Sequence, residues 1–190
     1  MFGEKEELMT DLRNKRTEML IENSFIQLVR QQGFNNVSVI DISNKALINR
    51  QTFYRHYQDK YQLAAKMIQD FVSTYDSVLK KRSNLNKQNQ NFLSITSILA
   101  PDIKNLLIKQ REKILALRSI QLDSKDLSSE IKRVLRNNLV SMLEEKPDKF
   151  EMSLLTSLIL GSFNYLIDEQ ELPDTSQIQH AITGILCLLS

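Results

Sequence analysis

Tryptophan is absent from this 190-residue chain, and cysteine (one), histidine (two), proline (three) and glycine (four) are all scarce. The single cysteine, Cys187, has no partner for an internal disulfide, which excludes a disulfide-stapled scaffold and makes a reducing cytoplasmic compartment the expectation. So few helix breakers, set among abundant Leu, Ile, Lys, Gln and Asn, predict an all-α protein. The longest mostly apolar stretch, Leu154 to Ile167, is interrupted by Thr156, Ser157, Ser162 and Asn164 and falls short of the roughly 20 residues a bilayer span needs. Residues 1–11 are charged and carry no apolar run, so no signal peptide is expected. No P-loop, GxGxxG, HExxH or CxxC pattern occurs, and His56 lies far from His180. Neither a metal site, a cofactor nor an enzymatic activity is therefore expected.

What the chain does have is uneven charge around one unusual stretch. The net charge is only +2. Residues 1–82 carry 13 basic and 10 acidic groups, whereas residues 150–190 hold five acids and no Lys or Arg. Between Lys45 and Lys66, five bases face the single acid Asp59. A local positive excess favours docking on a polyanion such as duplex DNA. Ser38 to Ala46 reads as a short helix, with Ser38 as its cap, Asp41 in its first turn and Val39, Ile42 and Ala46 on one face. A break at Leu47–Ile48 leads to a second cap at Asn49 and a helix from Arg50 to Tyr57. That helix is crowded with donors: Arg50, Gln51, Thr52, Tyr54, Arg55 and His56. Two short helices joined by a tight turn, the second donor-rich, form the pattern that places one helix in a major groove. A bland αα corner with a solvated polar face is the alternative that spacing alone leaves open.

The same residues carry a resemblance. Ser38-Val39, Asp41-Ile42, Ala46, and Thr52-Phe53-Tyr54-x-His56-Tyr57-x-x-Lys60-x-x-Leu63, with Gly33-Phe34 upstream, resemble the N-terminal domain of the TetR family of bacterial transcriptional regulators over about residues 10–65. The chain departs from the family at Leu47, where glycine is usual, and at Gln51, where a small residue is common. The resemblance implies DNA contacts from Ser38, Asn49, Arg50, Gln51, Thr52, Tyr54, Arg55, His56 and Lys60. Arg50, Gln51, Thr52 and Arg55 are expected at base edges or backbone, and Tyr54, His56 and Lys60 at phosphates. It also implies a linking fourth helix, a homodimer and a small-molecule effector.

Further helices are predicted at 4–32, 60–82, 91–99, 101–120, 125–145, 149–168 and 175–189, with a boundary loop over Ser83 to Asn91; the resemblance implies that the 101–120 helix divides near Lys109. Apolar stripes run along the last two helices, Leu155, Ile159, Ser162 and Leu166 on one and Ile178, Ile182, Ile185 and Leu189 on the other. Taken alone they suit burial within the monomer, whereas the resemblance implies that this pair builds the dimer interface, which is the expectation. The resemblance implies a ligand pocket in the body, for which Phe92, Ile95, Leu106, Leu117, Met142 and Phe163 are candidates on inward stripes, although apolar interior positions are more often plain core. The reading is an all-α protein: a three-helix helix-turn-helix head (residues 1–60) joined by a long fourth helix to a helical ligand-binding and dimerisation body (61–190). The expected function is a TetR-like, cytoplasmic, dimeric regulator of transcription binding a palindromic operator. A protein–protein adaptor with a helix-turn-helix that binds no DNA is the alternative.

Overall fold

The computed structural model describes residues 2–88, 101–123, 125–143, 146–171 and 173–189. Nine α-helices and no strand occur among them: α1 (Phe2–Gln32), α2 (Val39–Lys45), α3 (Arg50–His56), α4 (Lys60–Gln88), α5 (Pro101–Lys109), α6 (Arg111–Arg118), α7 (Leu127–Met142), α8 (Lys149–Glu169) and α9 (Thr175–Leu189). The predicted all-α architecture is the observed one. The expected helix at 91–99 lies outside the described residues.

Local chemistry sets most of the boundaries. Gly33, at φ 79°, ends α1, and its N–H reaches the Val29 carbonyl at 2.9 Å; glycine adopts this left-handed region without a Cβ penalty. A short 3-10 turn, Phe34–Asn36, follows. Asp126 caps α7 by accepting from the Ser129 N–H at 2.7 Å. Asp148 and Glu151 form a reciprocal capping box on α8. The division of the predicted 101–120 helix falls at Gln110, one residue from its expected place. The anticipated loop at Ser83–Asn91 is helical as far as Gln88. Asn, Gln and Ser lower helix propensity only mildly, and no Gly or Pro stands there to stop the helix.

One apolar cluster runs from head to body. α1 contributes Ile21, Phe25, Leu28 and Val29; the helix-turn-helix contributes Ile42, Phe53 and Tyr57; and α4 adds Leu63, Met67, Phe71, Tyr75 and Leu79, all buried. α4 passes from the head to pack along α7, and α1 also packs on α6. Arg30 pairs with Glu112 at 3.3 Å and Lys113 with Glu22 at 3.7 Å across that second seam. The core is therefore continuous across residue 60. In the body, Arg118 grips Asp168 with two hydrogen bonds of 2.7 and 3.1 Å. Arg111 donates to the Ile167 carbonyl at 2.7 Å, so two cations sit at the negative end of α8.

α8 has two unlike faces. Thr156, Ile159, Phe163, Leu166 and Ile167 are buried in the body. On the other side, Phe150 (72% exposed), Leu154 (51%) and Tyr165 (41%) stand open, with half-buried Leu158 and exposed Gly161 on the same helical row. Its 21 residues are long and apolar enough to cross a membrane by length and composition. The polar Thr156 and the packing of its inner face on α5, α6 and α7 fit a bundle helix.

Candidate nucleic-acid interface

The helix-turn-helix is assembled by caps rather than by long helices. Ser38 and Asp41 form a capping box: the Ser38 Oγ accepts from the Asp41 N–H at 3.2 Å, and the Asp41 carboxylate accepts from the Ser38 N–H at 2.9 Å. The Ser38 hydroxyl, donating to that carboxylate at 2.6 Å, and the Ser38 N–H hold the Asp41 carboxyl below the usual range. Asn49 caps α3, its Oδ1 accepting from the Gln51 N–H at 3.0 Å. Each cap satisfies a backbone donor that a two-turn helix would otherwise expose. Between them Leu47, where the resembled family usually has glycine, takes φ 55° and is 92% exposed.

α3 is pinned by its inner residues. Phe53 has no exposed surface and Tyr57 only 2%; Phe53 meets Tyr54 edge-on at 5.7 Å and Tyr57 at 5.8 Å. Burial, and then the nearby carboxylates of Glu22, Glu18 and Asp70, raise the Tyr57 hydroxyl pKa. With that face fixed, Arg50, Gln51, Tyr54 and Arg55 share the exposed side of the helix. Thr52 is half-buried, and its hydroxyl accepts from the Arg55 guanidinium at 3.2 Å, which steadies the arginine. Ser38 and Asn49 are exposed at the two helix starts, their side chains engaged as caps.

Two residues expected at phosphates are placed otherwise. The His56 side chain is 11% exposed, and its Nδ1 lies 3.4 Å from Glu18 of α1. It lines a cleft of about 490 Å³ with Gln62, Lys66 and Asp70. The ring thus turns toward α1, because Tyr57 beside it is drawn into the core. Lys60 is half-buried, and its ammonium donates to the carbonyls of Phe34 (2.9 Å), Asn35 (3.1 Å) and Val37 (2.8 Å). Sequence spacing gave no hint of that tertiary contact, since the acceptors are main-chain atoms and 23 to 26 residues away.

The body departs further from the sequence expectations. Leu117 is fully buried, and Phe163 (2% exposed) packs edge-on against Tyr75 at 5.9 Å. Leu106 is half-buried against the same core. Phe92 and Ile95 lie outside the described residues, as does the side chain of Met142. The described members are therefore packed in the hydrophobic core. A groove of about 370 Å³ lies between α4 and α7, lined by Val72, Ser73, Asp76, Lys80, Arg133, Val134, Asn137 and Asn138. Of the expected dimer stripe on α8, Ile159 (4% exposed) and Leu166 (0%) face their own body, while Leu155 and Ser162 are half-buried. The open apolar stripe is the neighbouring one: Phe150, Leu154, Leu158, Gly161 and Tyr165. Both rows are apolar in sequence, so periodicity could not say which one the monomer covers. On α9, Ile178 is half-buried, and the side chains of Ile182, Ile185 and Leu189 are outside the described set. Among the described residues, no group of three or more His, Cys, Asp or Glu could hold a metal.

Residues 26–67, from the middle of α1 into α4, match the family described as "Bacterial regulatory proteins, tetR family". An uncharacterized HTH-type transcriptional regulator of Bacillus subtilis (strain 168), YxbF, is 38% identical over 69 residues, covering 35% of this chain. The match spans 18% of that relative's length. Among solved structures, a gamma-butyrolactone receptor (ArpA-like protein) aligns over 94% of this chain and 100% of its own, with TM-score 0.55 and 14% identity. A Clostridium perfringens protein aligns over 86% of this chain and 94% of its own, with TM-score 0.56 and 17% identity. At such identities these two likenesses show a shared fold.

Proposed function

We propose, from the match of residues 26–67 to the family of tetR-type bacterial regulatory proteins, that this chain is a transcriptional regulator that binds a palindromic operator as a homodimer. The observation that carries the reading is α3 itself. Its buried Phe53 and Tyr57 lock the helix in place, while Arg50, Gln51, Tyr54 and Arg55 stand together on the open side. Arginine suits guanine and glutamine suits adenine in the major groove, each good pair discriminating by about 1–3 kcal/mol. Ser38 and Asn49, at helix starts, and Thr52, beside Arg55, complete the surface that meets the duplex.

The open stripe of α8, together with α9, is the surface we assign to the twofold partner. Gly161 in that row permits close approach between helices. Two heads then address half-sites one helical turn, about 34–36 Å, or a multiple of it apart. A small-molecule effector held in the body would alter the spacing of the heads through α4. The division into a DNA-binding head (1–60) and a ligand-binding, dimerising body (61–190), and a place in the cytoplasm, belong to the same reading.

Selection of bound fragments from random duplex DNA tests it. A palindromic consensus is the expected outcome, with affinity falling steeply in salt because phosphate contacts release counterions. Substituting Arg50 or Gln51 by Ala should relax preference at one base position by about 1–3 kcal/mol and leave other positions unchanged. Absence of any enriched sequence would favour the adaptor function over gene control.

A further inference from the structure

We infer that Lys60 is a positioning residue that joins the first turn of α4 to the segment leading into α2, and that it does not hold phosphate. The inference rests on the DNA-binding reading above for its consequence, but its structural part stands alone. An ammonium carries three donors. Those of Lys60 meet three carbonyls, Phe34 at 2.9 Å, Asn35 at 3.1 Å and Val37 at 2.8 Å. The remaining carbonyl of this run, on Asn36, accepts from the Gln32 side chain at 3.0 Å. The four consecutive carbonyls before Ser38 are thus all engaged. The charge also lies 4.7 Å from the Phe34 ring centroid and 5.5 Å from that of Tyr61, an attraction that favours the same position.

The location argues in the same direction. Lys60 is the first residue of α4, where a cation opposes the helix dipole. A lysine gains nothing there from its own helix, whereas convergent carbonyl oxygens supply the negative partial charge it needs. Turning the ammonium outward to a phosphate would strip donors from these carbonyls, two of which are part-buried contacts. Held as it is, Lys60 fixes where Ser38 starts α2, and the capped α2–α3 pair follows rigidly. The residue therefore sets the angle at which α3 is presented relative to α4.

The test uses two variants of the full chain and three readings. Lys60→Met keeps the apolar stem and removes the donors; Lys60→Arg keeps the charge, but its planar fork does not match three convergent acceptors. Lys60→Met should lower the Tm by roughly 4 °C and speed amide exchange at Val37, whose N–H closes the turn onto Phe34. On the selected operator it should lose affinity roughly tenfold with an unchanged slope of log affinity against log salt. Lys60→Arg should restore neither Tm nor affinity. The opposite pattern overturns the inference: an unchanged Tm, a slope shallower by the ~0.9 expected for one lost phosphate contact, and rescue by arginine. If the wild type binds no duplex, the regulator reading fails. Tm and Val37 exchange then still decide the role of Lys60, and no change in either refutes it.

Discussion

α3 and α8 each bury one face in their own molecule and leave the other uncovered, yet the uncovered faces are opposites. α3 shows Arg50, Gln51, Tyr54 and Arg55, groups that lose little by facing water. α8 shows Phe150, Leu154 and Tyr165, an apolar row whose exposure is unfavourable until something covers it. The contrast teaches that one chain presents two chemically unlike exposed faces, one of donors and one apolar. A polar face meets water at little cost, whereas an apolar one is stabilised when it is covered. We read the first as the face for DNA and the second as the face for a twin.

The sharpest way to break this comparison is to separate the two rows of α8. Ile159→Ala, on the inner row, should lower unfolding free energy by about 2–5 kcal/mol, because a fully packed side chain is replaced by a cavity. Leu154→Glu, on the outer row, should leave the monomer folded and split the proposed dimer, since a twofold there would bring two carboxylates into an apolar seam. Operator affinity should then drop by about 100-fold as bivalent attachment is lost. Sedimentation and chemical denaturation together read both results. A Leu154→Glu chain that sediments unchanged would show that the outer row is not the interface.

How far the sequence could go differs between the same two regions. In the head, caps and breakers are local, so Ser38, Asp41, Asn49 and Gly33 were legible as they stand, and Phe53 and Tyr57 could be assigned inward from their spacing. What was not legible is Lys60, whose acceptors are main-chain atoms that only tertiary folding brings near, and His56, whose turn toward Glu18 follows from Tyr57 entering the core. In the body, α8 is apolar on nearly every side, so its helix was evident while its orientation was not. Ile159 and Phe150 look alike to a hydrophobic pattern; only the packing of α5, α6 and α7 tells them apart. The same ambiguity holds for Leu117 and Phe163, which are buried in the core cluster and which an apolar pattern alone could place in either a core or a pocket wall.

Acid should act on both regions through the same physics and so sharpen the comparison. Asp41 in the head is held low by the Ser38 hydroxyl and N–H. Asp168 in the body is held low chiefly by hydrogen bonds from Arg118. A carboxylate whose folded pKa is depressed adds stability above its unfolded value, near 3.9 for Asp. That contribution is lost as pH falls below about 4 toward the folded pKa. The urea midpoint of the wild type should therefore fall between pH 5 and pH 3, and less so in Asp41→Asn and Asp168→Asn. Identical pH profiles in all three would mean that neither pairing persists in solution.

The smallest expected effect concerns a strain that both regions share. Leu47, in the turn before α3, has φ 55°, and Gln170, at the end of α8, has φ 62°. For a residue with a Cβ this region costs roughly 1–2 kcal/mol. Glycine relieves the strain but loses about 0.5–1 kcal/mol more backbone entropy on folding. Leu47 is 92% exposed, so its side chain has almost no packing to forfeit. Leu47→Gly should accordingly stabilise the chain by roughly 0.5–1 kcal/mol. Leu47→Asn, which tolerates the same φ while keeping a restricted unfolded chain, should do at least as well. Gln170→Gly should give a gain of the same size, because the conformational argument does not depend on the region. If the head variant instead loses stability while the body variant gains it, Leu47 must make contacts beyond its own turn, and the head would be the less locally determined of the two regions after all.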